Sequence, residues 1–314
     1  MSISRNGLPA DDRSRAVLAA LAPEPPAWAV EHFAVALRDR AGLDDWRLVS
    51  ADIPDCASLD AAALKRAVGD AYHAIAESLR ASGHHPVRFW NFVPGIHADM
   101  GGGLDRYMVF NAGRYAAFEA WFGQAALFTR TVPTASAVGI GSGALAVHAL
   151  GSRHAGLPVE NPRQVPAYRY SARYGPIPPC FARGTIVRGL PARPGDGADA
   201  PGLLVGGTAS IVGESSLHDR DARQQALETF ENLAELVAAA RRQIGGGAGA
   251  SHDAPRPAFD AFTELRVYVV RDIDAPLLRE MVTERFGRTA QIEFAQADLC
   301  RRELLVEIEG LATL

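Results

Sequence analysis

The chain has 314 residues, 48% of them hydrophobic and 22% charged, which supports a substantial core in two modules or one large domain. A net charge of −4 removes any electrostatic reason to expect nucleic acid, and no stretch approaches the roughly 20 apolar residues of a membrane span. The opening "MSISRNGLPADDRSR" lacks an apolar signal core, and the widely separated Cys56, Cys180 and Cys300 read as reduced thiols in a cytoplasm.

In chain order, the pattern predicts a helix over 58–80, a strand "PVRFWNFV" (86–93), a helix over 106–122 and a strand "ASAVGIGSGALAVHALG" (135–151). On the second helix Arg106, Asn111 and Arg114 are able to face a site, whereas Tyr107, Phe110, Phe118 and Trp121 read as core. The glycine-rich "GIGSGALA" (139–146) lacks the strand–helix context of a dinucleotide fingerprint, and no P-loop lysine follows it. Close backbone packing, or approach to a ligand, accounts for it better.

A break follows at "VENPRQVP" (159–166), then the unusual segment "YRYSARYGPIPPCFARG" (168–184). There arginines and tyrosines interleave with prolines that hold the backbone extended. Guanidinium forks bind carboxylates in bidentate fashion, and tyrosines add a hydroxyl beside a flat apolar face. The mixture suits a small, cyclic, anionic ligand; the plainer reading is arginines in surface ion pairs around a linker.

Beyond it, strands are predicted at Gly184–Val187 and Leu203–Val212, and a helix from Asp221 to Gln243 with Ala226, Phe230, Leu233 and Val237 on one stripe. Asp219 or Asp221 caps that helix. A Gly/Ala/Pro insert (245–257) reads as a mobile loop. A strand (264–272), a helix (274–287) with Pro276 in its first turn, and a final strand pair ending in Glu307 and Glu309 complete the chain.

The same order of elements thus occurs twice. "VRFWNFVPGIHAD" aligns with "LRVYVVRDIDA", placing Arg88 with Arg266, and "ALAVHALG" aligns with "ELLVEIEG", placing His148 with Glu307 and Leu150 with Glu309. This predicts two α+β modules, with a ligand cleft between them. In the terminal "LLVEIEGLA" (304–312) the two glutamates share one strand face. The plainer reading makes that face wet. The alternative is that Glu307, among aliphatic neighbours and close to a second carboxylate, stays protonated near neutral pH and donates a proton. The nine histidines show no metal spacing, no nucleophile elbow is present, and no cofactor is called for.

At "YRYSARYGPIPPCFARG", "GGTASIVGESSLHDRDARQQALETFENL" and "ADLCRRELLVEIEG" the chain resembles the chorismatase family, which includes chorismate hydrolases and 3-hydroxybenzoate synthases. Its second half also resembles Rid proteins, whose small α+β fold is similar to that of the monofunctional chorismate mutases. The resemblance implies two such modules, 1–158 and 184–314, with a linker (159–183) contributing to the site. It implies chorismate as substrate and Glu307 as the general acid that protonates the enolpyruvyl methylene. Arg114, Arg173 and Arg183 are candidates for the substrate carboxylates, with Tyr170 against the ring. Cys300, seven residues before the acid, and Gly213 match hydroxybenzoate-forming members. The glycine is read as leaving room for a shifted substrate pose and the cysteine as a water-poor wall, favouring 3-hydroxybenzoate, with 4-hydroxybenzoate as a second product. A hydrolase giving a cyclohexadiene-diol, a Rid-like imine deaminase and a non-catalytic binding protein are the alternatives. Monomer and trimer stay open, because Rid-type modules assemble as trimers while a duplicated chain satisfies part of that need internally.

Overall fold

The computed structural model describes residues 18, 21–30, 45–123, 131–190, 200–245, 257–288 and 290–314. The opening fifteen residues and most of the 245–257 insert lie outside them, and with them the readings made there.

The first unit runs β1 (Trp46–Ile53), α1 (Ala61–Ala81), β2 (His85–Pro94), α2 (Arg106–Phe122), β3 (Thr134–Ile140) and β4 (Leu145–Ser152). Both helices start where an aspartate accepts from a free backbone N–H: Asp60 from Ala63 and Asp105 from Met108. β5 (Leu157–Val159), β6 (Gly184–Val187) and β7 (Gly202–Ala209) follow, with a small hairpin of β8 (Ile211–Val212) and β9 (Ser215–Ser216). Then come α3 (Ala222–Gly245), β10 (Phe262–Val269), α4 (Ala275–Phe286), β11 (Gln291–Gln296) and β12 (Val306–Thr313). Asp221 is the aspartate that caps α3, accepting from Gln224 at 3.0 Å.

The sheets repeat one plan. The first has the order β1-β4-β2-β3, and the second contains β7-β12-β10-β11, extended by β6 and β5. In each, the third strand of the unit pairs in parallel with the second and the last strand pairs antiparallel with it. The register agrees residue by residue. Arg88 pairs with Leu150 and Trp90 with His148, while Arg266 pairs with Glu309 and Tyr268 with Glu307. The alignment read from the sequence therefore superposes the two α+β units.

Three predicted strands differ in detail. The run 135–151 is two strands, because exposed Gly141, Ser142 and Gly143 turn the chain, with Gly143 at φ 107°. β3 and β4 then lie on opposite sides of β2. The run 203–212 breaks at Ser210, and its end becomes the β8–β9 hairpin. The final strands are not paired with each other, since β11 and β12 flank β10.

Each helix pair covers the outer face of its own sheet. Val68, Tyr72, Phe110 and Phe118 form one such core, and Phe230, Leu233, Val237 and Phe286 the other. The inner faces pack on each other through Trp46, Trp90, Phe92, Leu150, Leu204, Tyr268 and Leu311. Burying each large side chain of this third layer contributes roughly 1.5–3 kcal/mol. The face of β12 that carries Glu307 and Glu309 is thereby covered: they are 4% and 0% exposed, and the wet-face reading is overturned. No described helix is long and apolar enough to cross a membrane.

Candidate active site

Glu307 lies on the wall of a cavity of about 220 Å³ where β3 of the first unit meets β7 of the second. β3 contributes Ala135, Ser136 and Ala137, and α2 contributes Tyr107 and Arg114. The proline-rich segment adds Tyr170, Tyr174, Phe181 and Arg183, and the loop before β12 adds Cys300 and Arg301. The backbones approach closely at this junction. A Cβ on Gly206 would stand 2.9 Å from the Ala135 carbonyl oxygen, and one on Gly207 would stand 2.0 Å from Glu307 Oε1. The "GG" of "GGTAS" is what admits the Glu307 carboxyl to this position.

The two glutamates of β12 have different surroundings. Glu309 accepts from Arg88 Nη2 at 2.5 Å, Trp90 Nε1 at 3.1 Å and the Tyr268 hydroxyl at 2.8 Å. Arg88 also donates to Ser136 Oγ at 3.0 Å, which ties this ion pair to the cavity wall. Glu307 instead has its acidity weakened. Burial raises its pKa to about 8 and the nearby Glu309 charge adds to the rise, against the opposing pull of Arg88 and Arg183. A carboxyl in this state is protonated at neutral pH and able to give its proton to a substrate carbon.

Two guanidinium groups supply the complementary charge. Arg114 is fully buried between the rings of Phe110 (5.2 Å) and Phe181 (5.6 Å). Its Nη2 donates to Asn111 at 2.7 Å, but its Nε and Nη1 have no hydrogen-bond partner among the described residues. A buried cation with free donors is costly unless an anion arrives, so its position on the cavity wall points to a bound carboxylate. Arg183 donates to the Tyr170 hydroxyl at 2.6 Å and to the Val165 carbonyl, and its Nε is likewise unpartnered.

Glu307, Arg114, Tyr170, Arg183 and Cys300 are thus brought together. Burial pushes the Cys300 thiol up to about 12, so it lines the wall as a neutral group. Arg173 and Gly213 are placed elsewhere. Arg173 is exposed, stacks on Tyr174 at 5.1 Å and is not among the residues that line the cavity. Gly213 turns the β8–β9 hairpin at φ 60°, and a Cβ there would meet open space. Tyr107, read as core, and Tyr174, Arg301 and Arg302 are lining residues that sequence reasoning passed over. The signal for the arginines was their place directly after Cys300.

The matching position in the first unit is closed. Pro23 offers His148 a carbonyl, which only accepts, so Nε2 carries the proton at 2.8 Å and Nδ1 accepts from Ser50 at 2.7 Å. Burial holds this imidazole below its usual pKa, and both nitrogens are occupied. The duplication therefore presents one open acid position, on β12.

Residues 32–151 match the family model described as "Chorismatase FkbO/Hyg5-like, N-terminal". The chain is 39% identical over 243 residues to a 3-hydroxybenzoate synthase of Streptomyces hygroscopicus, covering 77% of this chain and 67% of that protein. It is 33% identical over 227 residues to a chorismatase of Streptomyces rapamycinicus, covering 72% of this chain and 63% of that protein. A chorismatase crystal structure superposes with a TM-score of 0.71 at 27% identity, covering 86% of this chain and 75% of that one.

Proposed function

The chain belongs to the chorismatase family, and from that premise we propose that it converts chorismate to 3-hydroxybenzoate and pyruvate, with 4-hydroxybenzoate as a second product. One observation carries the reading: a carboxyl with its pKa raised to about 8 shares a small cavity with a buried guanidinium that has unpartnered donors.

The chemistry follows from these groups. Glu307 gives its proton to the methylene carbon of the enol ether, which becomes a methyl group beside an oxocarbenium centre. The bond between the ring carbon and the ether oxygen then breaks, its electron pair staying with oxygen, so pyruvate leaves with an uncharged carbonyl and its carboxylate intact, and the positive charge passes to the ring carbon. The oxygen of the substrate's neighbouring ring hydroxyl bonds to the electron-poor ring carbon, gives its proton to the Glu307 carboxylate and so forms an epoxide. One C–O bond of that epoxide then breaks with its electron pair going to oxygen. The carbon that keeps the oxygen loses its hydrogen as a proton, and the oxygen takes up a proton to give the aromatic hydroxyl; no water is consumed. Arg114 and Arg183 hold the substrate carboxylates, and Tyr170 packs beside the ring. Should water reach the cationic centre first, the product is a diol instead. The apolar wall formed by Cys300, Phe181 and Ala137 disfavours that outcome.

We assign residues 1–158 and 184–314 to the two modules, with 159–183 as a linker that reaches the site. We also place the protein in the cytoplasm, in keeping with its three free thiols. Incubation of the purified protein with chorismate, followed by product chromatography, tests the function. Equal amounts of pyruvate and hydroxybenzoate are expected. Unchanged chorismate overturns the reading, and a diol in place of hydroxybenzoate makes the protein a hydrolase.

A further inference from the structure

Tyr170 and Tyr174 close one side of the cavity, yet their segment is short and has little regular structure. What holds it is a contact from outside. The backbone N–H and the hydroxyl of Ser171 donate to the two carboxylate oxygens of Glu214 at 2.8 and 2.7 Å. The Glu214 carbonyl accepts from Arg301 Nη1 at 2.9 Å, and Arg301 also donates to Ser216 Oγ. The Arg301 guanidinium lies 3.8 Å over the Tyr174 ring and 5.2 Å over Tyr170. Glu214 therefore grips the tyrosine segment twice: directly by its side chain, and through Arg301 by its main chain.

The grip starts at Gly213. Its N–H donates to the Arg163 carbonyl and its own carbonyl accepts from Val165, each at 2.8 Å, so the hairpin also holds the start of the segment. The turn requires φ 60°, a left-handed conformation that is strained for a residue with a Cβ. A Cβ at Gly213 meets nothing within 4 Å, so its volume does not narrow the cavity. Its effect is to untwist the turn that aims Glu214.

We propose that Glu214 is a positioning residue that clasps the Tyr170–Tyr174 segment over the cavity and keeps water from the reacting centre, aimed there by the turn at Gly213. The proposal rests on the reaction above for its chemical consequence, but the clasp itself is a property of the fold. Both Ser171 and Glu214 are accessible to solvent, so the clasp is a weak contact.

Hydrogen exchange and product analysis on Glu214→Ala, Gly213→Ala and Gly213→Asn test this. In Glu214→Ala and Gly213→Ala, amide exchange across 167–175 should quicken several-fold, while the rest of the chain is unaffected. The diol share of product should rise in both variants, and combining the substitutions should add little, because both break one device. Gly213→Asn is the decisive arm. Asparagine is larger than alanine but tolerates the left-handed turn, so it should disturb the product ratio less. A larger disturbance by asparagine, or a shift with Gly213→Ala and none with Glu214→Ala, overturns the link. Unchanged exchange in Glu214→Ala overturns the clasp, whether or not chorismate is turned over.

Discussion

Glu307 and Glu309 stand two residues apart on the same face of β12, and only one of them is satisfied. Glu309 takes donors from Arg88, Trp90 and Tyr268, whereas the Glu307 carboxyl lies over Gly207 at the edge of a cavity. The first is a buried, paired anion, and its charge helps to keep its neighbour protonated. Division of labour between two adjacent carboxylates follows from what each one touches.

Glu307→Gln should cut pyruvate release by about two to four orders of magnitude, the usual contribution of a positioned acid. The fold should persist, because a neutral amide replaces a group that is itself neutral at pH 7. Steady-state assay and thermal melting check both halves. Near wild-type turnover would remove Glu307 from its role.

Turnover should be level at low pH and fall as pH rises through about 8, where Glu307 loses its proton. Stability carries the same signature. Between the ordinary carboxyl value of 4.5 and about 8 the folded chain holds a proton that the unfolded chain releases, so stability declines as pH rises through that window. The decline amounts to roughly 5 kcal/mol at full ionisation. Melting curves of Glu307→Gln should lack this component, and an identical pH dependence in wild type and variant would contradict it.

Arg88→Met leaves Glu309 buried without its cation and should lower stability by roughly 3–5 kcal/mol. Arg88→Met combined with Glu309→Leu should recover only part of the loss, since two apolar groups fill the site but leave the Trp90 and Tyr268 donors without an acceptor. Denaturant unfolding of the two variants measures the difference.

Arg114→Leu should raise KM for chorismate by roughly 10- to 150-fold, the worth of hydrogen bonds from a charged donor. Stability should hold or rise, because Nε and Nη1 now lie buried without partners. A large fall in melting temperature with unchanged KM would make this arginine structural.

Cys300→Ala should shift product toward the diol by giving water room beside Glu307, since Cys300 lines the cavity. Chromatography of the reaction mixture reads the ratio, and an unchanged ratio would dismiss a role for this wall in excluding water.

The elements were legible because their signals are local. Asp60, Asp105 and Asp221 each cap a helix within three residues of themselves, and the apolar stripe on α3 points at its own sheet. The internal repeat was legible too, because strand register is a property of spacing: Arg88 opposite Leu150 and Trp90 opposite His148 recur as Arg266 opposite Glu309 and Tyr268 opposite Glu307. Motif resemblance placed Glu307, Arg114, Tyr170, Arg183 and Cys300, which meet in one cavity. Burial, protonation and access were not legible. Whether the Glu307 face is wet depends on the sheet that packs against it from far away in the chain, and its raised pKa depends on that burial and on Arg88, Arg183 and Glu309. Arg173 and Arg301 look alike as letters. One is exposed and the other lies at the cavity over two tyrosines, because side-chain direction is decided by packing between segments distant in sequence.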